Sequence, residues 1–243
     1  MDKENKYGLF ECQQNLLKLM GLFDKLCLEN NITYAADSGT LLGAIRHNGF
    51  IPWDDDLDVV VDRDNYNRLM SIDLAKYGLQ RVRKTFIESL CFTDETVLNT
   101  SPVLDIFILD KTPDNALMRK WKLAKIMMVH GLWHHHNPPK NYSKSIVKRL
   151  YSFVFSNLGR LFTEEQVFKM FQRVSIQGNG KATRNVQCYN YLTKELHVVY
   201  PADILNEIER HRFESLEINI PKSYDTYLCR LYGENYMTPI QTK

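Results

Sequence analysis

Asp54-Asp55-Asp56-Leu57-Asp58-Val59-Val60-Val61 decides how this chain is read, because a run of carboxylates opens directly into a short, β-branched, apolar strand. Strand side chains alternate faces, so Asp56 and Asp58 point the same way while Leu57 and Val59 point into the core. Acidic groups crowded at a strand end repel one another unless a cation sits between them. Magnesium, or manganese in its place, suits hard oxygen ligands and can also grip substrate phosphates. A third acid stands in Val103-Leu104-Asp105-Ile106-Phe107-Ile108-Leu109, as one charge inside an apolar run. Buried alone, Asp105 would cost roughly several kcal/mol. Reaching the same metal as Asp56 and Asp58 makes it tolerable.

Just upstream lies Asp37-Ser38-Gly39-Thr40-Leu41-Leu42-Gly43-Ala44-Ile45-Arg46-His47, a small-residue turn running into a short helix expected over Thr40 to Arg46. Gly39 lets the backbone approach a phosphate, the helix start offers free N–H groups, and Thr40 adds a hydroxyl donor. A phosphate cradle opposite a metal site is equipment for phosphoryl or nucleotidyl transfer. The competing readings are a solvated acidic loop, an ordinary turn glycine at Gly39 and a calcium loop built on Asp54, Asp56 and Asp58. The calcium loop fails because Val59 and Asn65 stand where glycine and glutamate are needed.

The 243 residues, 44% hydrophobic, suffice for a sizeable core, and a net charge of +2 gives no whole-molecule preference for nucleic acid. Five scattered cysteines without a C-x-x-C pair read as free thiols in a reducing compartment. The charged N-terminus lacks a signal-type apolar run, and no stretch is long and apolar enough to span a bilayer. The expected location is the cytoplasm, with contact to the inner face of the membrane as an option.

Apolar spacing predicts a helix over Phe10 to Leu28, a strand at Ile32 to Ala36, a strand at Leu57 to Val61 and a helix over Tyr66 to Met70 capped by Asp64. Strands follow at Leu79 to Lys84, Glu88 to Phe92 and Val103 to Leu109. From Ala116 to about Gln177 the pattern is helical and basic, broken at Asn137-Pro138-Pro139. Strand-like material near Val186 to Leu192, a helix from Pro201 to His211, and a helix over Tyr224 to Tyr232, capped by Ser223 and stopped by Gly233, complete the reading. The expectation is one α/β domain over 1–243 carrying a helical insertion at 114–177.

Gly39 to His47 followed by Gly49-Phe50-Ile51-Pro52-Trp53-Asp54-Asp55-Asp56-Leu57-Asp58 resembles the signature of LicD-type proteins, the family of bacterial phosphocholine transferases and of fukutin and fukutin-related proteins. Asp105 to Asp110 is similar to its second block, with Ile108 where proline is common. Ile220 to Leu228 and Tyr232 to Met237 resemble the third, with Glu234 where aspartate is usual after Tyr-Gly. The resemblance implies a nucleotidyltransferase-like mixed sheet flanked by helices. It implies a phosphate turn at Gly39-Thr40, magnesium on Asp56 and Asp58, and Asp105 as a second-metal ligand or as the base for the acceptor hydroxyl. Arg46 is a candidate for pyrophosphate charge, against a surface salt bridge. Trp53 is a candidate for packing on the base, against a core aromatic. The implied donor is a CDP-activated small alcohol such as CDP-choline, and the acceptor is a glycan or lipid-linked glycan hydroxyl. Two rivals stay open: nucleotidyl transfer with pyrophosphate release, and a non-catalytic binding member of the fold.

Other features read more plainly. His130, His134, His135 and His136 could share a zinc, but no third ligand is obvious, and a solvent-facing helix end is the simpler reading. Lys140 to Phe162 forms a basic amphipathic helix, whose apolar face belongs on the core or on an anionic membrane. Gly178-Asn179-Gly180-Lys181 lacks the full spacing of a nucleotide loop and reads as a turn.

Overall fold

A computed structural model describes residues 7–94, 102–138, 145–191 and 195–239, and all structural statements concern these. The readings placed on the first six residues, Pro139, Lys140, Lys144 and Leu192 lie outside them.

The first helix, α1 (Phe10–Glu29), turns Leu16, Leu19, Met20, Phe23, Leu26 and Cys27 inward, the stripe that helical spacing demands. Then come β1 (Ala35–Ala36), α2 (Ser38–His47), β2 (Leu57–Asp62), α3 (Arg63–Met70), β3 (Leu79–Lys84), β4 (Ile87–Phe92) and β5 (Leu104–Thr112). Three helices follow: α4 (Ala116–Trp133), α5 (Ile146–Gly159) and α6 (Glu164–Ser175). The chain then returns through β6 (Asn185–Cys188), β7 (Tyr200–Pro201), β8 (Ile208–Phe213), β9 (Leu216–Pro221) and α7 (Tyr224–Tyr232).

The main sheet is mixed, in the order β1-β2-β5-β4-β3, with β6 also pairing β5 and carrying β7. Its hub is β5. Along one edge β2 runs parallel to it, and along the other β4 takes the N-terminal half and β6 the C-terminal half, both antiparallel. A strand paired on both edges and covered on both faces should be apolar almost throughout, and Leu104 and Ile106 to Asp110 are all buried. The buried charge in that run, Asp110, is met by the Arg63 guanidinium at 2.8 and 2.5 Å, which ties α3 to the sheet. The architecture is the α/β mixed sheet flanked by helices that the sequence led us to expect.

Several expectations are corrected. Residues from Ile208 form strand β8, not the end of a helix from Pro201. The run Glu209 to Arg212 is comfortable in a helix, yet pairing with β9 along the whole hairpin overrides that preference, and Arg210 reaches Asp24 of α1 at 2.6 Å. Helix α3 is capped by Asp62, whose carboxylate accepts from the Asn65 N–H, rather than by Asp64. Ser223 makes no side-chain cap bond. Only Ala35 and Ala36 of the Ile32 to Ala36 segment pair as strand. His130 does not lie at a solvent-facing helix end; it is half-buried, its ring packed against Phe86 and Phe171, and desolvation lowers its pKa to about 4.

Candidate active site

The site begins with register. In the parallel β2–β5 ladder Asp58 stands opposite Asp105, and in the antiparallel β4–β5 ladder Ser89 stands opposite Asp105. Facing residues of a ladder share a face, so Asp58, Asp105 and Ser89 form a row across three strands. Ser89 Oγ donates to Asp105 Oδ1 at 2.5 Å. Asp56, two residues before Asp58, joins the same face. One carboxylate oxygen from each of Asp56, Asp58 and Asp105 lies within 4.8 Å of the others. Among the described residues these three are the only His, Cys, Asp or Glu group so arranged.

Helix α2 is clamped against this row from behind. The Asp37 N–H donates to the Asp58 carbonyl at 2.9 Å, and Thr40 Oγ1 accepts from the Asp58 N–H at 2.8 Å. Thr40 is buried, and its hydroxyl oxygen is spent on fixing the acid-bearing strand. Gly39 lies where the acidic loop comes closest, for a Cβ there would sit 2.6 Å from Asp54 Oδ2. Gln13 of α1 holds that loop from the other side by donating to the Asp54 and Ile51 carbonyls at 3.0 and 3.3 Å. One backbone bond, one threonine hydroxyl, a glycine contact and a glutamine thus fix where the acids stand.

Sequence reasoning missed Asp37. It is fully buried at the N-cap of α2, accepting from the Ser38 N–H at 2.7 Å and from the Tyr191 hydroxyl, which lies 2.8 and 2.9 Å from its two oxygens. Tyr191 in turn meets the Tyr227 hydroxyl of α7 at 3.1 Å. Burial raises the Asp37 carboxyl to about 6, and these hydroxyls and the Ser38 N–H hold it from rising further. Ser38 itself has φ 44°, in the left-handed region. The signal available in sequence was the tyrosine-rich tail, whose distance along the chain hid its contact with α2.

Arg46 lies at the other end of α2, its guanidinium donating to the Tyr236 carbonyl at 3.2 Å and to His47 Nδ1 at 3.4 Å. Trp53 is half-buried on the core's edge, edge-on to Tyr7 at 5.9 Å. The fold therefore brings Gly39, Thr40, Asp56, Asp58 and Asp105 together, while among the described residues the hydrogen bonds of Arg46 and the ring contact of Trp53 go to Tyr236, His47 and Tyr7 and not to the acids.

Electrostatics argue for a cation. Burial raises the Asp54 carboxyl to about 7, helped by Asp56 and Asp55. Burial and the Asp105 charge raise Asp56; burial, then Asp56, Asp37 and Asp105, drive Asp58 well up. Burial raises Asp105 too, while the Ser89 hydroxyl and Lys84 hold it down. Among the described residues none of Asp37, Asp54, Asp56, Asp58 and Asp105 forms an ion pair. Three convergent hard-oxygen donors that repel one another and make no ion pair among the described residues could hold a metal ion.

Comparison with known proteins places the chain in a family. Over 257 aligned residues the chain is 27% identical to the lipopolysaccharide cholinephosphotransferase LicD of Haemophilus influenzae, covering 96% of this chain and 93% of that protein. It is also 37% identical over 101 residues to an uncharacterized protein of Rickettsia typhi, covering 41% of this chain and 30% of that one. An uncharacterized protein of Rickettsia prowazekii matches at 47% over 58 residues, 24% of this chain and 22% of that one. Residues 31–159, more than half of the chain and including every acid of the site, match the LicD/FKTN/FKRP nucleotidyltransferase domain. The chain belongs to that family.

Proposed function

We propose that this protein is a metal-dependent phosphotransferase. It moves a phospho-alcohol group, phosphocholine or a close analogue, from a CDP-activated donor to a glycan hydroxyl and releases CMP. The observation that carries the proposal is the convergence of Asp56, Asp58 and Asp105 beside the N-terminus of α2. Similarity to a lipopolysaccharide cholinephosphotransferase supports phosphocholine as the group and a glycan as the acceptor.

Asp56 and Asp58 would hold the cation, magnesium or manganese, with Asp105 closing the set. When bound, such an ion offsets the negative charge of the acids and of the donor's phosphates and polarises the transferred phosphoryl group. The protein's own residues do the rest. Gly39 leaves room for the Asp54 carboxylate beside the start of α2, and Thr40 keeps Asp58 in register. Asp105 Oδ1 is held by Ser89, leaving Oδ2 for the cation or for the proton of the attacking hydroxyl. The acceptor oxygen forms a bond to the phosphorus bearing the small alcohol, the bond from that phosphorus to CMP breaks, and the acceptor's proton passes to the carboxylate. Arg46 would supply positive charge to the donor's pyrophosphate and Trp53 would flank the base; replacing either should raise the donor KM more than it lowers kcat.

The test is product analysis with labelled CDP-choline, a glycan acceptor and magnesium. CMP release that disappears with EDTA and in Asp58→Ala is the expected result. Pyrophosphate released from CTP in place of CMP would make the enzyme a nucleotidyltransferase. Failure to bind both divalent cations and cytidine nucleotides would make it a binding protein.

A further inference from the structure

We infer that α4 and α5 form a docking surface for an anionic phospholipid bilayer. The observation is an inverted packing. An amphipathic helix on a protein in water turns its apolar side to the core, and α5 does the opposite. Toward α4 it presents Ser152 and Gly159, its buried residues, with the half-buried Tyr151 and Phe155 beside them: Ser152 Oγ lies 3.0 Å from His134 Nδ1, and the Tyr151 hydroxyl donates to the Met127 carbonyl. A Cβ on Gly131 would lie 2.7 Å from Phe155 Cβ, and one on Gly159 would overlap the Leu132 carbonyl. The two helices are therefore in close contact along that side, and the orientation of α5 follows from it.

What remains outside is apolar. Ile146 is 80% exposed and Phe153 68%, with Val147, Leu150, Val154 and Leu158 also in solvent. Helix α4 adds Leu117, Met118 and Trp121, the last 69% exposed. A groove of about 760 Å³ beside α4 is lined by these three residues together with Lys122, Lys125, Lys181 and one acid, Asp114.

Charge selects the occupant. Residues 115–163 contain nine lysines and arginines and no aspartate or glutamate, so with a chain total of +2 the remainder carries −7. Lys122 is spent inward, donating to the Lys111, Ser175 and Gln177 carbonyls at 2.9, 2.7 and 2.9 Å. Lys120, Arg149 and Arg160 are exposed. Two copies docking through this surface would set cations mostly against cations, since the groove's acid, Asp114, already faces Arg184 at 3.7 Å. An anionic lipid surface supplies both an apolar layer and the opposite charge.

The experiment is flotation of the full chain with vesicles of phosphatidylcholine alone or mixed equally with phosphatidylglycerol, at low and high salt. The protein should float with the anionic vesicles at low salt and lose most of that binding at high salt or on neutral vesicles. Arg149→Gln and Arg160→Gln should each weaken partitioning about fivefold. Leu150→Glu with Phe153→Glu, both at exposed positions, should abolish flotation while circular dichroism and melting stay unchanged. The inference is overturned if the wild type stays at the bottom with both vesicles, or if the double variant floats as well as the wild type. It is equally overturned if the wild type is a dimer that does not float and that the double variant splits, because a second copy would then cover the face.

Discussion

Replacing Gly39 by alanine should change sign depending on what stands at residue 54. A Cβ at residue 39 would lie 2.6 Å from Asp54 Oδ2 and 3.4 Å from Cγ. Carbon and oxygen settle at about 3.3 Å, so the carboxylate must retreat by about 0.7 Å. Overpacking of this kind costs about 1–3 kcal/mol. Against it stands the gain from Gly→Ala near a helix start, about 0.5–1 kcal/mol. The clash wins, and Gly39→Ala should destabilise the metal-free protein by about 1–2 kcal/mol. With Asp54→Ala already made, the obstruction is gone and only the helical gain remains, so the same substitution should then stabilise. The coupling in the four-protein cycle is about 2 kcal/mol, well above the few tenths by which independent sites depart from additivity. Urea unfolding of the four proteins measures it. Equal effects of Gly39→Ala in both backgrounds would refute the argument that Asp54 is what requires glycine.

A divalent cation at one hundred times its Kd should stabilise the fold by about 2.7 kcal/mol. Asp58→Asn and Asp105→Asn should lose that gain while melting no lower than wild type when metal-free, because each removes a repelling buried charge; calorimetry with and without magnesium decides, and no cation effect on the wild type would contradict the site. The raised carboxyls set a pH dependence. Their folded pKa values lie above the unfolded value near 3.8, with Asp54 at about 7, so the metal-free fold binds more protons than the unfolded chain and loses stability as pH rises from about 4 to about 7. Bound cation should flatten that slope, and a flat urea midpoint without metal would count against the mutual repulsion. Tyr191→Phe removes a hydroxyl from the buried Asp37 carboxyl and should cost about 2 kcal/mol; a change under about 0.5 kcal/mol by the same unfolding assay would show that Asp37 does not depend on it.

How much of the site was legible depended on where its partners lie in the chain. Asp56 and Asp58 were readable because alternation along a strand is local, and their relation to Asp105 followed once β2 and β5 were neighbours. Thr40 was singled out as a phosphate donor, yet its hydroxyl oxygen accepts from the Asp58 N–H, a bond across two elements that spacing does not display. Asp37 and Ser89 were invisible for the same reason: one works through Tyr191 and Tyr227, the other through strand register. The helix expected at Pro201 to His211 failed where hairpin pairing outweighed the preference of Glu and Arg for helix.

Helix α5 shows a different limit. Its periodicity correctly gives an amphipathic helix, and the prior of an apolar face on the core follows from the hydrophobic effect. That prior assumes water on the other side. Here Ser152 and Gly159 meet α4 while Ile146, Leu150 and Phe153 face outward. Periodicity fixes that a helix has two faces and is silent on which solvent each one meets. Small residues at the helix–helix contact and a predominantly basic surround are what distinguish a lipid-facing stripe from a core-facing one. Both were present in the sequence, at Gly131, Ser152 and Gly159 and in the run from Asn115 to Thr163. They acquire meaning only once α4 and α5 are known to touch.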